Sequence, residues 1–104
     1  MATVVTTVGK GIITGRMLGA TPSQAEPKYV AWGTGAGTAA VGDTTLFTEG
    51  PEARVSGTGS QVTTTVTNDT HQVVATITAS ASRTPTNVGV FDASTSGNIY
   101  VKGD

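Results

Sequence analysis

His71 is the single histidine of the chain, and so the one side chain whose ordinary pKa would let it serve as a base near neutral pH. A general base needs a nucleophile or substrate group within hydrogen-bond reach, and no serine-centred nucleophile motif stands near His71 in sequence. It directly follows Asn68-Asp69-Thr70 and alternates with Val73, the position of a surface or edge-strand residue. The Gly33-Thr34-Gly35-Ala36-Gly37 stretch has the composition of a phosphate loop but not its spacing. Its glycines recur every second residue, and no Lys-Ser/Thr pair or long helix follows. Gly9-Lys10-Gly11 fails the same test, so both read as turns or loops. Asp43 with Glu49, and Asp69 with Asp92, could offer carboxylates to a hard cation, yet neither pair has EF-hand spacing. Asn68-Asp69-Thr70 matches a glycosylation acceptor, but its side chains bond their own backbone and suit a turn, which is the role expected. The residues therefore predict no catalytic group, no cofactor, no metal and no small-molecule substrate.

The elements that would position such groups are strands. Val and Thr dominate the apolar and polar residues, and both are β-branched, which suits a pleated sheet better than a helix. Leu, Ile, Val and Phe number 21 among 104 residues, enough for one domain with a thin core. Charged residues make up 12% and the net charge is −1, so the charge that accompanies disorder is missing. The same balance lacks the basic field that nucleic acid requires. With no cysteine and one histidine, neither disulfides nor a conventional metal site can reinforce the core, which leaves oligomerisation as the common remaining support. The first eight residues lack the basic start of a signal peptide, and no apolar run reaches the ~18 residues of a membrane helix.

Residues 1–27 read as an extended N-terminal arm and linker, and residues 28–104 as the β domain. Val4, Val5, Val8, Ile12 and Ile13 are spaced by Thr and Gly along the arm, with Lys10 and Arg16 among them. The stretch from Gly19 to Pro27 holds two prolines and small polar residues, a loop or linker composition. Such an arm would be poorly ordered alone and would add a strand to a neighbouring sheet edge, Lys10 and Arg16 meeting acidic groups there. The competing reading makes residues 3–8 the first strand of the domain's own sheet. Tyr29 and Trp32, three apart on one strand, point to opposite faces; either both serve a core this thin, or one enters it while the other is partly exposed and anchors an interface. Asp43 or Thr44 could cap a short helical turn carrying Leu46 and Phe47. Glu52 to Gly57 reads as a short strand. Ser60–Thr67 and Val73–Ser80 alternate around Asn68-Asp69-Thr70 as a hairpin, and Asn87–Phe91 with Asn98–Val101 form a second across a polar turn. The pattern predicts an all-β fold, a small sandwich or jelly-roll-like domain with an extended arm.

Five stretches carry a resemblance: Tyr29-Val30-Ala31-Trp32-Gly33-Thr34-Gly35, Gly42-Asp43-Thr44-Thr45-Leu46-Phe47-Thr48-Glu49, Arg54-Val55-Ser56-Gly57-Thr58, Thr63–Thr70 and Val90-Phe91-Asp92-Ala93-Ser94-Thr95. Over about residues 28–103 the chain resembles short Thr-rich structural proteins of tailed bacteriophages. The resemblance implies a virion component made in the host cytoplasm. Its first form is a capsid decoration (cement) protein, a trimer that binds the major capsid protein and bridges neighbouring subunits. The alternative is a tail-fibre or collar module that recognises a host-surface glycan or protein. Partner contacts are expected from Val4, Val5, Val8, Lys10, Ile12, Ile13, Arg16, Tyr29 and Trp32, with no part for nucleic acid or membrane.

Overall fold

The computed structural model describes residues 2–19 and 25–104. In chain order the elements are β1 (Thr3–Val5), α1 (Thr7–Met17), β2 (Tyr29–Gly33), β3 (Val55–Ser56), β4 (Thr58–Val62), β5 (Thr70–Val74), β6 (Asn87–Phe91) and β7 (Ile99–Gly103). Five strands form one sheet in the order β1-β7-β6-β2-β3, every neighbour antiparallel, and β4 and β5 form a separate two-stranded ribbon. The fold is mostly β-strand with one short helix.

Pleating sorts the residues of the large sheet. Tyr29 pairs with Phe91 and Ala31 with Gly89, so these share one face. There Ala31, Phe91 and Ile99 meet Leu46 from the loop between β2 and β3 to form the buried cluster, with Tyr29 packed against it. On the other face a row of half-buried valines crosses the sheet: Val5 pairs with Val101, Val101 with Val90, Val90 with Val30, and Val30 with Val55. β-Branched cross-strand neighbours of this kind contribute roughly 0.2–1 kcal/mol each beyond alanine. Trp32 lies on the valine face, opposite Val88. Tyr29 and Trp32 therefore divide as strand geometry requires, Tyr29 serving the core.

The N-terminal segment departs from the extended arm. Thr3–Val5 adds to β7 as an edge strand of the chain's own sheet, and residues 7–17 are helical. Thr6 makes the transition: its backbone N–H donates to the Tyr100 carbonyl at 3.0 Å, and its hydroxyl accepts from the Gly9 N–H at 3.0 Å while donating to the Ile99 carbonyl at 2.6 Å. That is an N-cap tied into the sheet. Gly9, Gly11 and Gly15 each cost about 1 kcal/mol against alanine inside a helix, so docking and not propensity forms α1. Ile12 is buried, and a Cβ on Gly9 would collide with the Tyr100 carbonyl. The helix ends at Leu18, where Gly19 turns left-handed at φ 73° and its N–H donates to the Arg16 carbonyl. Most of the linker expected from Gly19 to Pro27 lies outside the described residues.

The first hairpin is recognisable but shifted toward the N-terminus, β4 starting at Thr58 and β5 at Thr70, inside the expected turn. β4 stops at Val62 instead of Thr67 because the Asp69 carboxylate accepts from the backbone N–H groups of Thr64, Thr65 and Val66 at 2.8–3.0 Å, curling residues 63–69 into a turn. β5 stops at Val74, six residues short of Ser80, and the strand expected over Glu52–Gly57 shrinks to Val55–Ser56. β6 and β7 pair as expected, across a turn in which both oxygens of Asp92 accept from Asn98 and Gly97 is left-handed at φ 71°. No helical turn forms at Asp43 or Thr44; the Asp43 carboxylate instead accepts from the Ala40 N–H at 3.1 Å.

Asn68 sits at φ 60° and makes its two hydrogen bonds through its backbone, to Thr63 and from Gln61. Glycine adopts that dihedral without strain. Asn68→Gly and His71→Ala are thus expected to change stability by no more than ~0.5 kcal/mol, read by denaturant titration. A loss above about 1.5 kcal/mol in either would show a side-chain role at this turn.

Candidate interaction surface

Most acids and bases are engaged in holding loops to the sheets. Lys102 enters the core face from β7, its side chain 1% exposed, and donates to Asp43 Oδ2 at 2.8 Å and to the Thr45 carbonyl at 2.9 Å. Its ammonium also lies 3.2 Å from the centre of the Phe47 ring. Arg54 stacks 3.5 Å from the centre of the Phe91 ring, pairs with both oxygens of Glu49 at 2.9 Å, and donates to the carbonyls of Ala93 and Ser96. Glu52 accepts from Trp32 Nε1 at 3.0 Å, from the backbone and hydroxyl of Ser80, and from Arg83 Nε at 2.8 Å. The side chain of buried Asn87 bonds both backbone groups of Phe47. Asp43, Glu49, Asp69 and Asp92 thus each serve a different structural partner. Among the described residues no group of three or more potential metal ligands converges, and no helix is long and apolar enough to cross a membrane.

The glycine-rich stretch has a packing explanation. A Cβ on Gly33 would lie 2.5 Å from the Phe47 carbonyl, one on Gly35 2.7 Å from Thr48, and one on Gly37 2.7 Å from the Phe47 ring. The glycines let this loop approach the segment around Phe47, and the Gly35 N–H bonds the Phe47 carbonyl.

These contacts give an acid limb with a definite sign. The Arg83 guanidinium and the Ser80 N–H hold the Glu52 carboxyl well below the usual carboxylate range, and the backbone N–H groups of Val66, Thr64 and Thr65 do the same for Asp69. Asp43 is lowered by Lys102 and the Ala40 N–H. A group whose pKa is depressed by folding stabilises the native state above its unfolded value, near pH 4, and that contribution is lost as pH falls through the folded value. The melting temperature is expected to be flat from pH 8 to 5 and to decline below about 4. Glu52→Gln should start lower and decline less steeply. An acid limb of equal slope in that variant would remove Glu52 from the account.

What remains for a partner at the end of α1 is mainly apolar, with Arg16 beside it. Ile12 is buried within the chain's own fold, whereas Ile13 is 37% exposed and Met17 and Leu18 are 81% and 86% exposed at the end of α1. Ile13 and Met17 are four apart, so they share one helix face. They border an open groove of about 740 Å³ between α1 and the β4–β5 ribbon, with Arg16, Gln61, His71 and Tyr100 on its walls. His71 is exposed there and meets Tyr100 edge-on at 6.4 Å. A second groove, about 510 Å³, runs past Trp32, Ala75, Ile77, Pro85 and Val88.

The residues expected to meet a partner are therefore divided. Val4 and Val5 are half-buried in β1, with Val5 against Gly9 and Val8 beside Ile99. Tyr29 packs on the core, and the Trp32 indole N–H is bonded to Glu52. Ile13, Lys10 and Arg16 stay exposed, and among the described residues neither cation pairs with an acid. Met17 and Leu18 were missed by sequence reasoning. The i, i+4 spacing of Ile13 and Met17 was the available signal, legible only once α1 is known to be a helix. Compared with protein families, curated proteins and solved structures, the chain matches none.

Proposed function

We propose that this protein is a virion structural component that binds other protein surfaces and catalyses nothing: a capsid decoration protein seated on the major capsid shell and bridging neighbouring subunits. The observation that carries this reading is the partition of side chains. The ionic groups tie loops to sheets, while exposed apolar side chains gather at the end of α1 beside an open groove. Contiguous exposed apolar surface of this kind belongs to interaction sites more than to solvent. The five stretches that resemble Thr-rich phage structural proteins supply the particular partner. In this reading the large sheet and the β4–β5 ribbon are the two layers of a small sandwich, the chain works as a homotrimer, and Ile13, Arg16, Met17 and Leu18 meet the shell.

The test is co-expression with the proteins encoded beside its gene, followed by gradient sedimentation. The chain should travel with assembled shells, and Met17→Ser with Leu18→Ser should reduce its occupancy at least tenfold without changing shell assembly. Sedimentation with tails alone would favour the fibre or collar reading. Absence from all particles would overturn both.

A further inference from the structure

We infer that the β4–β5 ribbon is a self-association surface, in which β4 of one copy pairs antiparallel with β5 of the next in a closed three-fold ring. This deepens the oligomeric part of the proposed reading and rests on it.

No strand of the large sheet pairs with the ribbon, which meets that sheet through His71 against Tyr100. An isolated two-stranded ribbon is marginal in water, and three or more strands are the usual minimum. Among the described residues, no backbone hydrogen bond reaches β4 or β5 from outside their own ladder. Each five-residue strand thus presents the donors and acceptors of its alternate residues unpaired on its outer edge. Native proteins usually blunt such edges with Lys, Pro, bulges or short strands. The large sheet does so: its edges are three residues at β1 and two at β3. The ribbon does not. From Thr58 to Ser82 there is no Lys, Arg, Glu or Pro, and the one acid, Asp69, is bound inside the turn. Its register is regular from Thr58↔Val74 to Val62↔Thr70, and Val66 and Val74 lie 65% and 58% exposed.

The occupant follows from the edges themselves. An uncharged edge offers no electrostatic address for a foreign strand, whereas every copy of this chain carries both complementary edges. Pairing β4 with β4 about a two-fold would leave β5 bare. Pairing β4 with the β5 of the next copy is head-to-tail and antiparallel, and a head-to-tail contact that closes into a ring leaves no edge. The thin core gives such closure a stabilising role.

Light scattering on the purified chain at about 50 µM tests this. A particle of about three times the 10.4 kDa chain mass is expected. A monomer or a dimer at that concentration overturns the inference. Ser60→Lys with Val74→Lys, which do not face each other in the chain's own ladder, puts a charge on each strand of the ribbon and should return the monomer. A trimer that survives both substitutions overturns the ribbon as its interface. Should the variant not fold, hydrogen exchange on the wild type decides. Outer-edge amides of β4 and β5 should exchange at least tenfold more slowly in the trimer than on dilution, and equal rates overturn the inference. A wild-type chain that is monomeric and still binds shells would leave the capsid reading standing and remove this one.

Discussion

Phe91→Ala is expected to lower stability by about 3–5 kcal/mol, the range for emptying a well-packed aromatic site. A domain of this length is stable by roughly 5–15 kcal/mol, so the loss would approach unfolding. Phe91 is 1% exposed and touches every part of the core cluster's logic: it pairs with Tyr29 across the sheet, packs with Leu46 and Ile99, and carries the Arg54 guanidinium on its ring. Few apolar neighbours are available to collapse into the void, because the buried hydrophobic side chains among the described residues are only Ile12, Ala31, Ala39, Leu46, Phe91 and Ile99. Ile99→Val, which removes one methyl from the same cluster, should cost about 0.5–1.5 kcal/mol. Denaturant titration would read both as shifts of the midpoint at constant slope. A Phe91→Ala loss below 1.5 kcal/mol would mean that the cluster is not the core.

Asp43→Ala should destabilise by about 3 kcal/mol, because it leaves the Lys102 ammonium buried without its counter-ion. The Thr45 carbonyl and the Phe47 ring remain to solvate that charge, which places the effect at the lower end of the range for broken buried pairs. Adding Lys102→Met to Asp43→Ala removes the stranded charge and should restore stability to within about 1 kcal/mol of wild type, since apolar replacements of buried pairs are often neutral. The double variant would then be more stable than one of its parents, a non-additivity expected only of contacting groups. Additive losses would show that Lys102 reaches solvent.

Much of the β architecture was legible because it is local. Asn87–Phe91 and Asn98–Val101 flank a polar turn, and their pairing needs little more than period-two alternation and a glycine that tolerates positive φ. The opposite directions of Tyr29 and Trp32 follow from strand geometry. The helix was not legible because its sequence argues against it: three glycines and several β-branched residues form α1 only because Thr6 is fixed by the carbonyls of Ile99 and Tyr100, more than ninety residues away. The shortening of β4 has a similar cause, since alternation through Thr67 is overridden by one carboxylate that captures three backbone donors. The Lys102–Asp43 pair spans 59 residues, and nothing in either local pattern announces it. Ile13 and Arg16, expected to meet a partner from an extended arm, stand instead exposed on α1. Their real setting is a helix end that also presents Met17 and Leu18.

The most direct test of the central proposal is imaging of virus particles that carry this protein with a bulky label fused after Asp104. The account places the label as regularly spaced density on the outer face of the capsid, at local three-fold positions. Density confined to the tail, or labelled protein absent from particles that assemble normally, would contradict it.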